Sequence, residues 1–133
     1  MSIRGFSNLA VIACLIFTVC GCSRPNIVGT DAAVYSRGAL YAVSGKDLNS
    51  VYAATVKALE QLEIEVVEKE KDVFYAKVVG KIADGMNVTV RMEPGDNNVT
   101  ELSIKASTLG NEDRSRVIYK KIQEILGAGS SGK

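Results

Sequence analysis

The sequence predicts an α+β fold, a two-layer sandwich in which two helices cover one face of an antiparallel-rich sheet of about five strands. Two segments space their apolar residues as a helix face does, and four others alternate apolar and polar residues as strands do. Turn residues separate these segments. The predicted order of the elements along the chain is strand, helix, four strands, helix (β-α-β-β-β-β-α). An antiparallel sheet with one apolar face needs helices to cover it, so we predict that both helices lie on that face.

The first strand and the first helix are predicted between residues 38 and 62. Residues 38–44 form a short apolar run suited to a strand, and Asp47 is placed to cap a helix that begins at Leu48. A helix lying on a membrane would need basic residues on its polar side, whereas this one carries Lys57 with Glu60. We therefore assign its apolar face to the core: Leu48, Val51, Tyr52, Thr55, Leu59 and Leu62.

Four strands are predicted between residues 63 and 106. The first loses its alternation at the adjacent Val66 and Val67, which indicates a β-bulge. Asp84-Gly85 provides a hairpin turn, and residues 94–97 turn the chain again before the last strand. The alternation directs one set of side chains to the core: Phe74, Ala76, Val78, Gly80, Ile82, Met86, Val88, Val90, Met92, Leu102, Ile104 and Ala106.

The last helix is predicted to begin after Asn111, its N-cap, with Glu112 and Asp113 in the first turn, and to end at Gly127. Its core positions are Ile118, Ile122, Ile125 and Leu126. The predicted domain covers residues 35–126, and the glycine- and serine-rich residues 127–133 are predicted to be a flexible tail without structure.

Residues 1–21 have the layout of a signal peptide, with Arg4 near the start, an apolar stretch from Leu9 to Val19 and the small Gly21. The stretch spans eleven residues. A membrane-spanning helix needs about 20. Residues 19–22, Val-Cys-Gly-Cys, resemble the bacterial lipobox, whose last cysteine is acylated and becomes the first residue of the mature chain. The sequence therefore predicts cleavage before Cys22 and attachment to the membrane through a lipid on that cysteine.

The cysteine positions agree with this processing, because Cys14, Cys20 and Cys22 all lie in the first 22 residues. The mature chain would keep one thiol and could form no internal disulfide. Residues 22–34 show no periodicity and are predicted to be a flexible tether. Ser23 follows Cys22, and in Gram-negative lipoproteins the absence of aspartate at this position favours export to the outer membrane. We predict a location in the cell envelope, at the outer membrane facing the periplasm.

Composition argues against several functions. The chain has 16 Lys and Arg against 15 Asp and Glu, so its overall charge selects neither nucleic acid nor an anionic membrane. It has no histidine, and no cysteine beyond the leader and the lipidation position. The commonest general base, the thiol nucleophile and the usual zinc ligands are missing. We therefore expect a protein that is not an enzyme and holds no metal or cofactor.

A mixed, locally basic surface is the remaining candidate for function. It is the uncovered face of the sheet, and it suits a protein partner or an anionic envelope component, although a plain solvated face is equally consistent. The residues predicted to project from it are Tyr75, Lys77, Lys81, Thr89, Arg91, Ser103 and Lys105.

Short motifs between residues 34 and 126 carry a resemblance to a known family. They are Gly38-Ala-Leu40, Val51-Tyr-Ala-Ala-Thr55 with Ala58-Leu59, Lys71-Asp72, Ala83-Asp84-Gly85, and Leu109-Gly-Asn-Glu112 followed by Ser115. In these the chain resembles a family of uncharacterised bacterial lipoproteins catalogued as a domain of unknown function. Asn111 departs from the aspartate expected at that cap. The resemblance implies a lipoprotein location and a small α+β fold, and it implies no activity.

Two functional hypotheses follow. The first is a lipid-anchored, non-catalytic module that binds another envelope protein through the open sheet face or an edge strand. The alternative is a carrier of a small or anionic envelope ligand, such as a lipid or a glycan, which would require a pocket between the helices and the sheet.

Overall fold

The computed structural model describes residues 32–130. The predicted signal peptide, Cys22 and most of the predicted tether lie outside the described residues, as do residues 131–133 of the predicted tail.

Six strands and two helices make up the described part of the chain. The strands are β1 (Ala33–Ser36), β2 (Ala39–Ser44), β3 (Glu65–Lys71), β4 (Ala76–Lys81), β5 (Asn87–Pro94) and β6 (Thr100–Ala106). The helices are α1 (Leu48–Gln61) and α2 (Glu112–Ser130), and a short 3-10 turn, Asp96–Asn98, joins β5 to β6. All strands pair antiparallel in one open sheet in the order β1-β2-β6-β5-β4-β3, so the predicted α+β class is confirmed.

The prediction of about five strands is wrong, because residues 33–36 form an additional strand. β1 pairs with β2 across a two-residue turn at Arg37 and Gly38, whose φ angles are 51° and 80°. Such turns usually contain Asn-Gly or Asp-Gly, and an arginine in the left-handed region gives no recognisable signal. Ala33 and Val34 of the predicted tether over residues 22–34 therefore lie in β1, and the element order is strand, strand, helix, four strands, helix.

The core lies between the helices and one face of the sheet. The two helices pack against each other, α1 contacts β3, β4 and β5, and α2 contacts β2 and β6. Alternate residues of β2, β4, β5 and β6 are buried, as their alternation predicts. The largest fully buried apolar side chains are Leu40, Leu59, Met92, Ile104, Ile118, Ile122, Val51, Val78, Val88 and Val90.

Phe74 contradicts the predicted core set. The alternation places it with Ala76 and Val78, but β4 begins only at Ala76, and Phe74 lies in the turn before it with 77% of its surface exposed. Ile82 and Met86 also lie outside the strands, in the β4–β5 turn, where they are partly buried. These three residues are predicted to lie in strands because the alternation of apolar and polar residues continues in the sequence beyond the residues that pair with a neighbouring strand.

The predicted caps and the predicted bulge are confirmed. The Asp47 side chain accepts a hydrogen bond from the Ser50 amide at 3.1 Å, and Asn111 Oδ1 accepts one from the Arg114 amide at 3.0 Å. The pairing of β3 with β4 shifts register between Val66 and Glu68.

The prediction of an unstructured tail is wrong for residues 127–130, because α2 continues to Ser130. Once a helix exists, each residue that extends it forms a further backbone hydrogen bond, so residues 127–130 can be helical without packing against the sheet. A side chain added at Gly127 or Gly129 would meet no atom within 4 Å. These last turns therefore extend beyond the packed core.

Replacing Asp47 with alanine is expected to lower the free energy of unfolding by about 1 kcal/mol, because the α1 N-terminus loses its cap. The hydroxyl of Ser50, and then its amide, lower the pKa of the Asp47 carboxyl. The stabilisation is therefore present above the carboxyl's unfolded pKa and is lost as the pH falls through the lower folded value. Urea unfolding at neutral and strongly acidic pH measures this. Asn49→Ala, exposed in the same turn, is the control, and an Asp47→Ala effect that persists in acid would contradict the assignment.

Candidate binding surface

We use the name open face for the outward residues of β2, β4, β5 and β6, on the side of the sheet opposite to the buried positions. All seven residues that the sequence predicts for the partner-binding surface lie on it or at its border: Tyr75, Lys77, Lys81, Thr89, Arg91, Ser103 and Lys105. The register brings several of them together, because Arg91 pairs with Lys77 on one side and with Ser103 on the other, while Thr89 pairs with Lys105.

Two of these seven residues, Tyr75 and Lys77, already have acidic partners on β3. Lys77 Nζ lies 2.5 Å from Glu68 Oε1 and 3.3 Å from Glu70 Oε2. The Tyr75 hydroxyl donates a hydrogen bond to Glu70. This bond, followed by the Lys77 ammonium, lowers the pKa of Glu70, and the carboxylates of Glu68 and Glu70 raise the pKa of Lys77. Lys77 and Tyr75 therefore have partners within the chain.

The other three cations of this surface, Lys81, Arg91 and Lys105, form no salt bridge within residues 32–130. Arg91 and Lys105 are exposed. They occupy diagonal positions on β5 and β6, where neighbouring Cα atoms are roughly 7–8 Å apart. Both side chains are long and exposed, so one anionic group of a partner could contact both charges.

Sequence reasoning missed the residues that β2 contributes to the open face. Tyr41 pairs with Ser103 and is therefore diagonal to Lys105, whereas Val43 pairs with the acidic Glu101. Both side chains are partly buried. The alternation of residues 39–44 places Tyr41 and Val43 opposite to Leu40 and Ala42, but it does not reveal that β2 lies beside β6. The open face thus includes an aromatic side chain, Tyr41, near Lys105, and an aliphatic side chain, Val43, beside Glu101.

The two edges of the sheet differ. β3 carries exposed charged residues along its length and a bulge, features that discourage another strand from pairing with it. β1 has four residues and is short for an edge that would accept a partner strand. The open face is therefore the larger surface available to a partner.

Within residues 32–130, no three His, Cys, Asp or Glu side chains are grouped closely enough to bind a metal ion. The buried hydroxyls have partners: Thr55 donates to the Val51 carbonyl at 2.8 Å, Thr100 to the Lys46 carbonyl at 2.8 Å, and Ser115 to the Asn111 carbonyl at 2.8 Å. Neither described helix is long and apolar enough to cross a bilayer.

Comparison with known proteins supports the resemblance on which the family expectation is based. A family model described as a protein of unknown function (DUF3568) matches residues 6–125, from the apolar leader to the last packed turns of α2. No curated protein matches the chain. The family description says nothing of lipid attachment, so the lipoprotein part of the expectation stays a prediction. Because the match covers most of the sequence, the chain belongs to the family of proteins of unknown function DUF3568.

Proposed function

We propose that the chain is a lipid-anchored protein of the bacterial cell envelope, held at the membrane through Cys22. In this proposal the domain is a two-layer sandwich without catalytic activity or cofactor, and its open face binds another envelope protein. Ser23, after the lipidated cysteine, favours the outer membrane as the location.

The anchoring is supported by the residues around Cys22. The predicted leader ends in Val19-Cys20-Gly21 directly before Cys22, a sequence that resembles the lipobox, and the first strand begins at Ala33, eleven residues after Cys22. One acyl chain gives only marginal membrane binding, whereas the two or three chains of a processed lipoprotein give stable attachment. A domain attached in this way meets its partners at the membrane surface.

The observation that carries the binding function is the pair Arg91 and Lys105. They are exposed, form no salt bridge within residues 32–130, and lie beside Tyr41 and Ser103. Interfaces are enriched in arginine and tyrosine, and a charged pair sets partner choice and association rate. The overall charge is +1, so the attraction is local to this pair. We propose a protein partner that presents carboxylates to it.

Charge reversal tests this surface. Arg91→Glu and Lys105→Glu are each expected to reduce a specific crosslinked complex at least tenfold, which corresponds to about 1.4 kcal/mol of binding free energy. The complex is measured by in-cell photo-crosslinking from position 89, between the two cations, and mass spectrometry of the adduct. Folding should be unchanged, because both side chains are exposed.

Lys57→Glu is the matched control, since Lys57 is an exposed cation on α1, away from the open face. It should leave the adduct intact, and a crosslinker at position 57 should not yield the same adduct. An adduct that survives both reversals on the sheet would contradict the proposed surface. A complete absence of adducts, with a lipid or glycan found bound by native mass spectrometry, would favour the ligand-carrier alternative.

A further inference from the structure

The turn between β3 and β4 exposes two large apolar side chains. Val73 and Phe74 are adjacent, and each has 77% of its surface exposed. Turns of this kind normally carry glycine, asparagine, aspartate or serine, because their side chains face water. Single exposed apolar residues are ordinary, but two together at the tip of a hairpin suggest a contact. We use the name hairpin tip for residues 72–75.

The hairpin tip is held in a defined conformation. The Asp72 amide donates to the Tyr75 carbonyl at 2.7 Å, and the Val73 amide donates to Asp72 Oδ1 at 2.5 Å. At its base, the Tyr75 hydroxyl bonds to Glu70. Val73 and Phe74 are therefore presented on a closed turn, so that contact with a partner requires little further ordering.

The hairpin tip leaves the sheet at the same end as the segment that leads to Cys22. One row of paired residues crosses all six strands: Ala33, Ala42, Leu102, Met92, Ala76 and Lys71. Residues 72–75 lie beyond this row on β3 and β4, and β1 begins at this row, with Ala33. The β1–β2 and β4–β5 turns lie at the opposite end.

The lengths allow the hairpin tip and the lipid to reach one bilayer. Five strand spacings of about 4.8 Å separate β1 from β3, roughly 24 Å in all. The eleven residue steps from Cys22 to Ala33 can extend to roughly 36 Å. The tether therefore covers the lateral separation without lifting the hairpin tip away from the surface.

We propose that Val73 and Phe74 insert into the boundary between headgroups and acyl chains of the bilayer that holds the lipid on Cys22. Phenylalanine and aliphatic side chains occupy this boundary in peripheral proteins, and basic residues beside them contact anionic headgroups. Lys71, at the base of the hairpin tip, holds its ammonium 5.3 Å from the centroid of the Tyr52 ring. It is flanked by Glu70 and Asp72, so the proposed contact rests on the apolar Val73 and Phe74. The strands then run away from the membrane, and the open face is accessible from the side.

The inference rests on the proposed anchoring, and it is tested with a tryptophan reporter. The chain contains no tryptophan, so Phe74→Trp creates a single probe. Leu109→Trp is the matched control, because Leu109 is 90% exposed in the loop after β6, at the opposite end of the sheet. Each full-length protein is processed in cells, purified, and added to vesicles of phosphatidylethanolamine and phosphatidylglycerol. Emission wavelength and quenching by brominated acyl chains are recorded, with intact mass and vesicle flotation as measures of anchoring.

We expect the Phe74→Trp emission to shift to the blue on vesicle binding and to be quenched by brominated lipids, and the Leu109→Trp emission to remain unchanged. A lipidated protein that floats with vesicles but shows no shift at position 74 would overturn the membrane contact and leave the anchoring intact. A protein that carries no lipid, does not float with vesicles and shows no shift would overturn both the membrane contact and the anchoring. Equal shifts at positions 74 and 109 would also overturn the membrane contact. A shift at position 74 that occurs without vesicles and grows with protein concentration would overturn it too, because the hairpin tip would then contact a second copy of the chain.

Discussion

Cys22→Ala is expected to abolish lipid attachment completely and to leave the uncleaved precursor in the cell. The thiol is the group that is acylated, and the cut before residue 22 follows that modification, so removing the sulfur blocks both steps. The measurement is the incorporation of an alkyne-labelled fatty acid, together with the intact mass of the purified protein. The wild type should incorporate the label and lack residues 1–21, and the variant should do neither.

Cys20→Ala is the control for this experiment. It removes another thiol two residues away, and alanine is common at that position of a lipobox, so labelling and cleavage should both continue. If Cys22→Ala still incorporated the label, the lipid would be on a different cysteine. Loss of the label from Cys20→Ala in the same experiment would identify that cysteine as Cys20. Unmodified wild type would remove the basis of the proposed anchoring.

Gly110→Ala is expected to destabilise the domain by about 3 kcal/mol or more, as the sum of backbone strain and overpacking. Gly110 has a φ of 89°, in the left-handed region. A Cβ there would meet the Gly38 carbonyl oxygen, and would lie 2.5 Å from Gly38 Cα and 2.5 Å from the Tyr35 hydroxyl. Two of these atoms belong to backbone and cannot rotate away. The variant must therefore separate the β1–β2 turn from the loop that leads into α2.

Gly85→Ala isolates the backbone contribution. Gly85 has a similar φ of 87°, but a Cβ there would meet no atom within 4 Å. Its expected cost is roughly 1–2 kcal/mol, from the left-handed conformation alone. Urea unfolding followed by far-ultraviolet circular dichroism measures both variants. Equal destabilisation by the two would show that the contact with Gly38 and Tyr35 contributes nothing.

The helices and most strands could be predicted because their signals are local. Asp47 and Asn111 act on amides three residues away, and the alternation from Val88 to Met92 depends only on successive residues of one strand. The same locality explains the errors. Arg37-Gly38 lacks the residues typical of a hairpin turn, so β1 is recognised only from its pairing with β2.

The candidate surface was predictable in part for the same reason. Strand parity places Arg91 and Lys105 on the uncovered side, and the register confirms that they are neighbours across β5 and β6. Parity does not show that β3 supplies Glu68 and Glu70 to Lys77, which divides the cations of the surface into one with salt bridges and three without. That division depends on which strands are adjacent.

Spacing along the chain was therefore sufficient for the α+β class, the two helix caps, the bulge near Val66 and the inward side of the central strands. The strand order, the position of Tyr41 beside Ser103, the exposure of Phe74 and the shared end of the hairpin tip and Ala33 come from contacts between distant segments. A strand's own residues encode which side faces the core, because side chains alternate with a period of two. They do not encode its neighbour, which is chosen by packing of the whole sheet against the helices.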